Sequence, residues 1–239
     1  MTNEHNAAPG SAGARQRIEQ RFDLVWNPVS IGEVSLILPE HRDPLAYINQ
    51  RLAAGGDEID TLPFWTTLWP AAMVLASMVA KAPPTDDGPI LELGAGLGLP
   101  GLVAAALGRQ ALITDLEPDA LEFAQAAVEA NGLEGRARVM ALDWAAPPAD
   151  LGRFRTIYGA EIVYQPKIYP ILVDFLASVT APDGVIFLGH EARPFVPAFF
   201  NLAKERFRIK GTRRLINGEA GPVEVILYAL KPLDAAGKV

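Results

Sequence analysis

The segment Glu92-Leu93-Gly94-Ala95-Gly96-Leu97-Gly98 constrains this chain more than any other. It follows the apolar run Ile90 to Leu93 and leads into Leu99 to Leu107, which closes at Gly108. A four-residue apolar run bounded by glycine reads as a buried strand, and the longer run as a helix. Alternating glycines let the backbone turn sharply and admit a ligand without Cβ clashes, and the free N–H groups at a helix start favour a negative group. The dinucleotide fingerprint places its third glycine three residues after the second. Here the spacing is G-x-G-x-G and Gly101 comes too late, so pyrophosphate binding is disfavoured. No Lys-Ser or Lys-Thr follows, which excludes a P-loop. A tight turn without a ligand is the plain alternative.

Around this turn, strand-like and helix-like runs alternate. Pro70 opens a helix that fades at Pro83-Pro84, with Ala71, Val74, Leu75 and Met78 at helical spacing. Ala111 to Thr114 is the next strand, and Pro118 to Ala130 is a helix stopped by Asn131-Gly132. Strands continue at Arg138 to Leu142, Thr156 to Ala160 and Gly184 to Gly189, with helices at Ile168 to Val179 and Pro197 to Ala203. Two last runs, Phe207 to Leu215 and Pro222 to Leu230, flank Asn217-Gly218 and pair as an antiparallel hairpin. Five parallel strands plus that hairpin make an α/β, Rossmann-like sheet of seven strands with helices on both faces. Phe22 to Trp26 and Glu33 to Leu38 form an N-terminal β-hairpin extension, with the turn in the Asn27-Pro28 and Ile31-Gly32 stretches. Residues 1–16 lack a hydrophobic period and read as a disordered tail, leaving 17–239 as one domain.

In an open α/β sheet, ligands bind beyond the carboxyl ends of the strands. Asp115 ends the second strand about 20 residues past the glycines, where a carboxylate accepts hydrogen bonds from both hydroxyls of a ribose. The competing role is to start the helix at Pro118, which Glu117 serves equally well.

Composition removes other classes. The 239 residues are 50% hydrophobic, enough for one sizeable core. A net charge of -7 gives no support for a nucleic-acid partner. Cysteine is absent, and His5, His41 and His190 are scattered, so no metal site is expected. No apolar run approaches the roughly 18 residues that a membrane span needs, and the first residues lack the pattern of a secretory signal. The expectation is a cytoplasmic protein, monomeric, with no membrane partner.

With these residues in view, the chain resembles the class I, seven-β-strand methyltransferases. Within them it is similar to the protein-lysine methyltransferase family often labelled nicotinamide N-methyltransferase-like. The matching residues are Leu68-Trp69-Pro70-Ala71-Ala72, Glu92 to Gly98, Ile113-Thr114-Asp115-Leu116, Leu142-Asp143-Trp144 and Gly159-Ala160-Glu161-Ile162-Val163-Tyr164. The resemblance implies that S-adenosylmethionine is the cofactor and S-adenosylhomocysteine the product. It implies that Trp69 packs near the methionine half, which the loop from Glu92 through Gly94, Ala95, Gly96 and Gly98 lines. Asp115 and Leu116 would hold the ribose side, Asp143 and Trp144 would flank the adenine, and Ala160 would line the pocket at the fourth strand. Glu161 and Tyr164 match an acidic-x-x-aromatic motif beside the acceptor lysine of a protein substrate, where the family more often has Asp.

Physical chemistry is consistent with these roles. A sulfonium is a cation, favoured near aromatic faces and carboxylates. Adenine is flat and apolar on its faces, which suits Trp144. For both tryptophans, core packing is the alternative. Methyl transfer is a displacement that needs alignment, and no Ser-His or Cys-His pair suggests a covalent intermediate. Glu161 would orient the amine and Tyr164 shape its slot. His190-Glu191-Ala192-Arg193, after the fifth strand, reads either as a substrate contact or as an ordinary Glu–Arg surface pair. Rival readings are a small-molecule N-methyltransferase on the same fold, an NAD-dependent oxidoreductase, and a catalytically silent binding protein. Replacing Asp115 with Ala is expected to remove about 1.5–3 kcal/mol of charge-assisted contact. That is on the order of 10–100-fold in cofactor affinity, and calorimetry giving an unchanged affinity would remove the ribose assignment.

Overall fold

The structure, a computed structural model, describes residues 13–53, 62–82, 88–218 and 221–233. β3 (Ile90–Leu93) is buried at all four positions and so must lie inside the sheet. It pairs in parallel with β4 (Ala111–Asp115) on one side and β6 (Phe154–Ala160) on the other. Beyond β4 lies β5 (Ala137–Ala141), and beyond β6 lies β7 (Thr180–Glu191), both parallel. β8 (Phe207–Gly218) and β9 (Gly221–Pro232) close the far edge as an antiparallel hairpin, giving seven strands in the order β5-β4-β3-β6-β7-β9-β8. This is the Rossmann-like α/β arrangement that the sequence implies. The strand order reverses between β3 and β6, and the crevice at such a switch point is where open α/β sheets bind ligands.

Helices cover the two faces unequally. α3 (Pro70–Lys81), α4 (Leu99–Ala106) and α5 (Pro118–Ala130) share one apolar cluster with the N-terminal hairpin. α6 (Tyr169–Val179) and α7 (Val196–Ala203) form the other. Strand alternation divides β3 between them: Ile90 packs with the first cluster, Leu91 and Leu93 with the second. No helix joins β5 to β6. On that connection Trp144 packs against α6, its ring 6.4 Å from Phe175 between centroids.

The N-terminal region departs from the sequence expectation in three places. β1 (Leu24–Ile31) and β2 (Val34–His41) pair with Ile31 opposite Val34, so the turn is Gly32-Glu33. Gly32 has φ +61, as two-residue hairpin turns require. Asn27 and Pro28 lie inside the strand, where Pro is tolerated because a two-stranded sheet has only edges. Next, α2 (Pro44–Ala53) had not been anticipated, although Asp43 caps it by accepting the Ala46 N–H at 2.9 Å and Pro44 stands at its start.

Finally, α1 (Ala14–Arg21) begins inside the stretch expected to be tail. Its Ala14 and Arg15 N–H groups donate to the Glu129 carboxylate of α5 at 3.1 and 3.2 Å, and Arg17 and Arg21 pair with Glu122 at 3.0 and 2.6 Å. Ala14 and Ile18 are buried against Phe123 and Ala126. These partners are about 100 residues away in sequence, beyond any local window. Residues 1–12 of the expected tail and the Pro83-Pro84 helix stop lie outside the described residues. The terminal hairpin stays paired through Gly218 opposite Gly221, so Asn217-Gly218 belongs to the strand rather than to the turn.

Burial outweighs charge in docking α1. Partly exposed ion pairs contribute about 0–1 kcal/mol each, whereas truncating a buried Ile to Ala costs about 2–5 kcal/mol. Ile18→Ala is therefore expected to lower the urea midpoint far more than Glu122→Ala, and the reverse order would mean that charge holds the helix.

Candidate functional site

A cavity of about 480 Å³ opens at the carboxyl ends of β3, β4 and β6. Its floor is the loop after β3. Gly94, Gly96 and Gly98 have φ values of +53, +54 and +75, which side-chain-bearing residues rarely adopt. The loop is tied to the next strand: the Ala95 N–H donates to the Thr114 carbonyl at 2.9 Å, and the Gly96 N–H to the Asp115 carboxylate at 2.8 Å. The other Asp115 oxygen accepts the Leu116 and Glu117 N–H groups at 2.7 and 3.0 Å. Burial pushes the Asp115 carboxyl above the usual range, and those three donors pull it partly back.

Every expected cofactor residue but one lines this cavity: Trp69, Gly94, Ala95, Gly96, Gly98, Asp115, Leu116, Asp143, Trp144 and Ala160. Leu116 is 65% exposed and lines the cavity beside Asp115. Asp143 shapes its own turn by accepting the Ala145 N–H at 2.8 Å.

Glu92 is the exception. It is 2% exposed and stands beneath the loop, because strand alternation turns it toward α4 rather than toward the cavity. Its carboxylate accepts the Gly101 N–H at 2.7 Å, in the first turn of α4, where a carboxylate also opposes the helix dipole. A Cβ on Gly101 would lie 2.5 Å from Ile113 and 2.6 Å from that carboxylate, so this glycine serves close packing of the helix on the strand. Burial pushes Glu92 up to about 8.

Glu161 and Tyr164 also line the cavity. Glu161 directly follows β6 and is the one non-glycine among the described residues with a positive φ, +56. Such a backbone costs about 1–3 kcal/mol and persists only where surrounding contacts enforce it. Here the Glu161 N–H donates to the Gly189 carbonyl at 2.8 Å. One carboxylate oxygen accepts the Glu191 N–H at 2.7 Å, and the other pairs with the Arg193 guanidinium at 3.1 Å. Burial pushes Glu161 up to about 7, against the pull of the Glu191 N–H and Arg193. Tyr164, 39% exposed, stands at the rim.

Two further residues join the site: Arg193, which the sequence left open between a substrate contact and a surface pair, and Trp65, which the sequence reading did not name. Arg193 reaches across to Glu161 instead of pairing with Glu191, and its Cζ lies 5.7 Å from the Trp69 ring centroid. Its only sequence signal was its position just past the end of β7. Trp65, in a 3-10 turn at Phe64–Thr66, also lines the cavity. It packs among His41, Tyr47 and Phe123, and a Cβ on Gly96 would sit 3.3 Å from its carbonyl oxygen. The aromatic density of Phe64-Trp65 beside Trp69 was the available hint. The Trp69 indole N–H donates to the Phe64 carbonyl at 2.8 Å, which fixes its plane at the cavity wall.

The fold and the glycine loop at its switch point define a class I methyltransferase architecture. Among solved structures, a TehB-like SAM-dependent methyltransferase from Corynebacterium glutamicum matches with a TM-score of 0.50 at 20% identity, over 79% of this chain and 96% of that one. The chain belongs to the lysine methyltransferase family, whose model matches residues 61–206. It is 39% identical over 133 residues to the protein N-lysine methyltransferase METTL21A of Danio rerio, covering 53% of this chain and 60% of the relative. It is 42% identical over 106 residues to EEF1A lysine methyltransferase 3 of Mus musculus, covering 44% and 45%. A more distant relative, histone-arginine methyltransferase METTL23 of Homo sapiens, is 30% identical over 130 residues, covering 47% and 60%. The chain thus matches about half the length of its curated relatives.

The buried acids set a pH dependence of stability. Glu92 and Glu161 rise from a reference of 4.5 to about 8 and about 7 on folding. Between those limits the folded chain holds protons that the unfolded chain has lost, so stability falls as pH rises through the window. Glu92→Gln is expected to flatten most of that fall, by on the order of a few kcal/mol at the alkaline end. Denaturant midpoints across the window check this, and an unchanged slope would mean that Glu92 is not buried as an acid.

Proposed function

We propose that this protein transfers a methyl group from S-adenosylmethionine to the side-chain nitrogen of a lysine on a protein substrate. The observation that carries the reading is the placement of the Glu161 carboxylate, held at a strained backbone, in the same cavity as the glycine loop and Asp115. When bound, the cofactor supplies an electrophilic methyl on a sulfonium. The residues fit it chemically. Backbone N–H groups take three of the roughly four acceptor sites on the Asp115 carboxylate, two on one oxygen and one on the other, and the oxygen that accepts the Gly96 N–H keeps capacity toward a ribose hydroxyl. Leu116 and Trp144 offer apolar faces to adenine, with Asp143 at its edge. Gly94, Ala95, Gly96 and Gly98 leave room for the methionine half, and Trp69 presents an aromatic face to the sulfonium. Ala160 keeps the wall between cofactor and acceptor thin.

A lysine ammonium has an unperturbed pKa of about 10.4 and must shed a proton before it can attack. The apolar walls of the cavity favour its neutral form. Glu161 accepts a hydrogen bond from the incoming nitrogen and aims it at the methyl, and Tyr164 narrows the entrance. In this reading the protein works as a cytoplasmic monomer on a protein partner, without nucleic acid. The excess of acidic residues supports the last point, and among the described residues no helix is long and apolar enough to cross a membrane.

The test is incubation of the protein with a cell lysate and labelled S-adenosylmethionine, followed by amino-acid analysis of the labelled material. Labelled methyl-lysine in a protein band supports the reading. Label in methyl-arginine, or only in small molecules, replaces the acceptor. Glu161→Ala is expected to lower transfer by about 100-fold or more while leaving cofactor affinity within a few-fold, and Tyr164→Phe is expected to cost less. Full turnover in both variants would move the acceptor site elsewhere.

A further inference from the structure

We propose that Arg193 is an internal occupant of the acceptor's seat: its guanidinium stands where an entering lysine would first bind as its ammonium, before it sheds the proton, so the acceptor enters only by displacing it. The proposal rests on reading this cavity as an acceptor site. Its ground is geometric. A seat for a cation needs a carboxylate and an aromatic face, and Glu161 and Trp69 supply both on the cavity wall. Arg193 already uses both, with 3.1 Å between its Nη2 and Glu161 Oε2 and 5.7 Å between its Cζ and the Trp69 ring centroid. The side chains of Arg193 and Glu161 are 30% and 10% exposed, so the pair is sheltered yet reachable.

Arg193 is held at its guanidinium by Glu161 and Trp69. It lies between β7 and α7, outside both elements, and its side chain swings away without breaking a strand or a helix. The second Glu161 anchor, the Glu191 N–H, remains when it leaves, so the carboxylate stays aimed. Displacement has a cost that every entrant meets equally. A protein substrate offsets it with contacts remote from the reacting nitrogen, and a free small amine has none to offer. Arg193 is in this way a specificity residue that turns the site against small amines and toward a lysine carried on a larger surface.

The experiment uses the full chain saturated with S-adenosylhomocysteine, at mildly alkaline pH where Glu161 is ionised. The probe is n-butylammonium, which has the shape and charge of a lysine side chain, and n-butanol is its uncharged counterpart. Calorimetric affinities are compared for the parent, Arg193→Ala and Arg193→Gln, the last keeping bulk and polarity should the alanine variant fold poorly. The expected result is a gain of about 10-fold for n-butylammonium in both variants, little change for n-butanol, and loss of the gain when Glu161→Gln is added. Unchanged or weaker n-butylammonium binding overturns the proposal, because Arg193 then only aligns Glu161. An equal gain for n-butanol also overturns it, since cavity volume then explains the effect. Label transfer from S-adenosylmethionine is scored separately. A chain that transfers label without the gain loses only this proposal, and a gain without any label transfer keeps the cation seat while removing the methyltransferase reading.

Discussion

β3 is four residues long, buried at each, and hydrogen-bonded in parallel to a neighbour on either side. Parallel pairing aligns the carboxyl ends of β3, β4 and β6 at one end of the sheet. The register sets Leu93 beside Gly159, so the glycine loop and Glu161 emerge as neighbours although nearly 70 residues of chain separate them. Because the strand order reverses at this point, the connections leave in opposite directions and a crevice opens between them. The glycine loop, Asp115 and Glu161 all derive their positions from the pairing of β3 with β4 on one side and β6 on the other.

Two buried glutamates divide the work around that crevice. Glu92 faces inward, is pushed up to about 8 by burial, and fastens the first turn of α4 beneath the loop. Glu161 faces the cavity and is restrained by a strained backbone, an N–H donor and an arginine. The strand periodicity explains the difference, since Glu92 lies within β3 and must point to one face, whereas Glu161 lies just past β6 and is free of that alternation. Strain at Glu161 marks where stability has been given up to keep a carboxylate in the cavity.

The N-terminal elements serve the same site from behind. β2 is joined to α5 through Asn131, whose side chain accepts the Ile37 N–H at 2.9 Å and donates to the Ile37 carbonyl at 2.8 Å. β2 ends at His41, which packs with Trp65 and Phe123. Trp65 in turn backs the glycine loop. The hairpin and α1 are thus a brace for the cavity wall.

Short-range physics made much of this legible in advance. The helix at Pro118–Ala130 carries its start signal, its apolar period and its Asn-Gly stop within a few residues, and the strand at Ile90–Leu93 is bounded in the same way. The glycine spacing and Asp115 could be named because each sits next to a recognisable strand end, whereas Trp69, at the start of α3, Trp144 and the Glu161 to Tyr164 segment were named through the family resemblance. The sequence by itself therefore determined the seven-stranded class, the strand ends that border the cavity and the glycines and principal carboxylates on its wall. Only the tertiary structure decided that residues 14–16 join a helix held on α5, that Glu92 braces the loop instead of lining the cavity, and that Arg193 answers Glu161 rather than Glu191. Each of these depends on a partner brought near by sheet register or helix docking, and no property of a local window encodes such a distance.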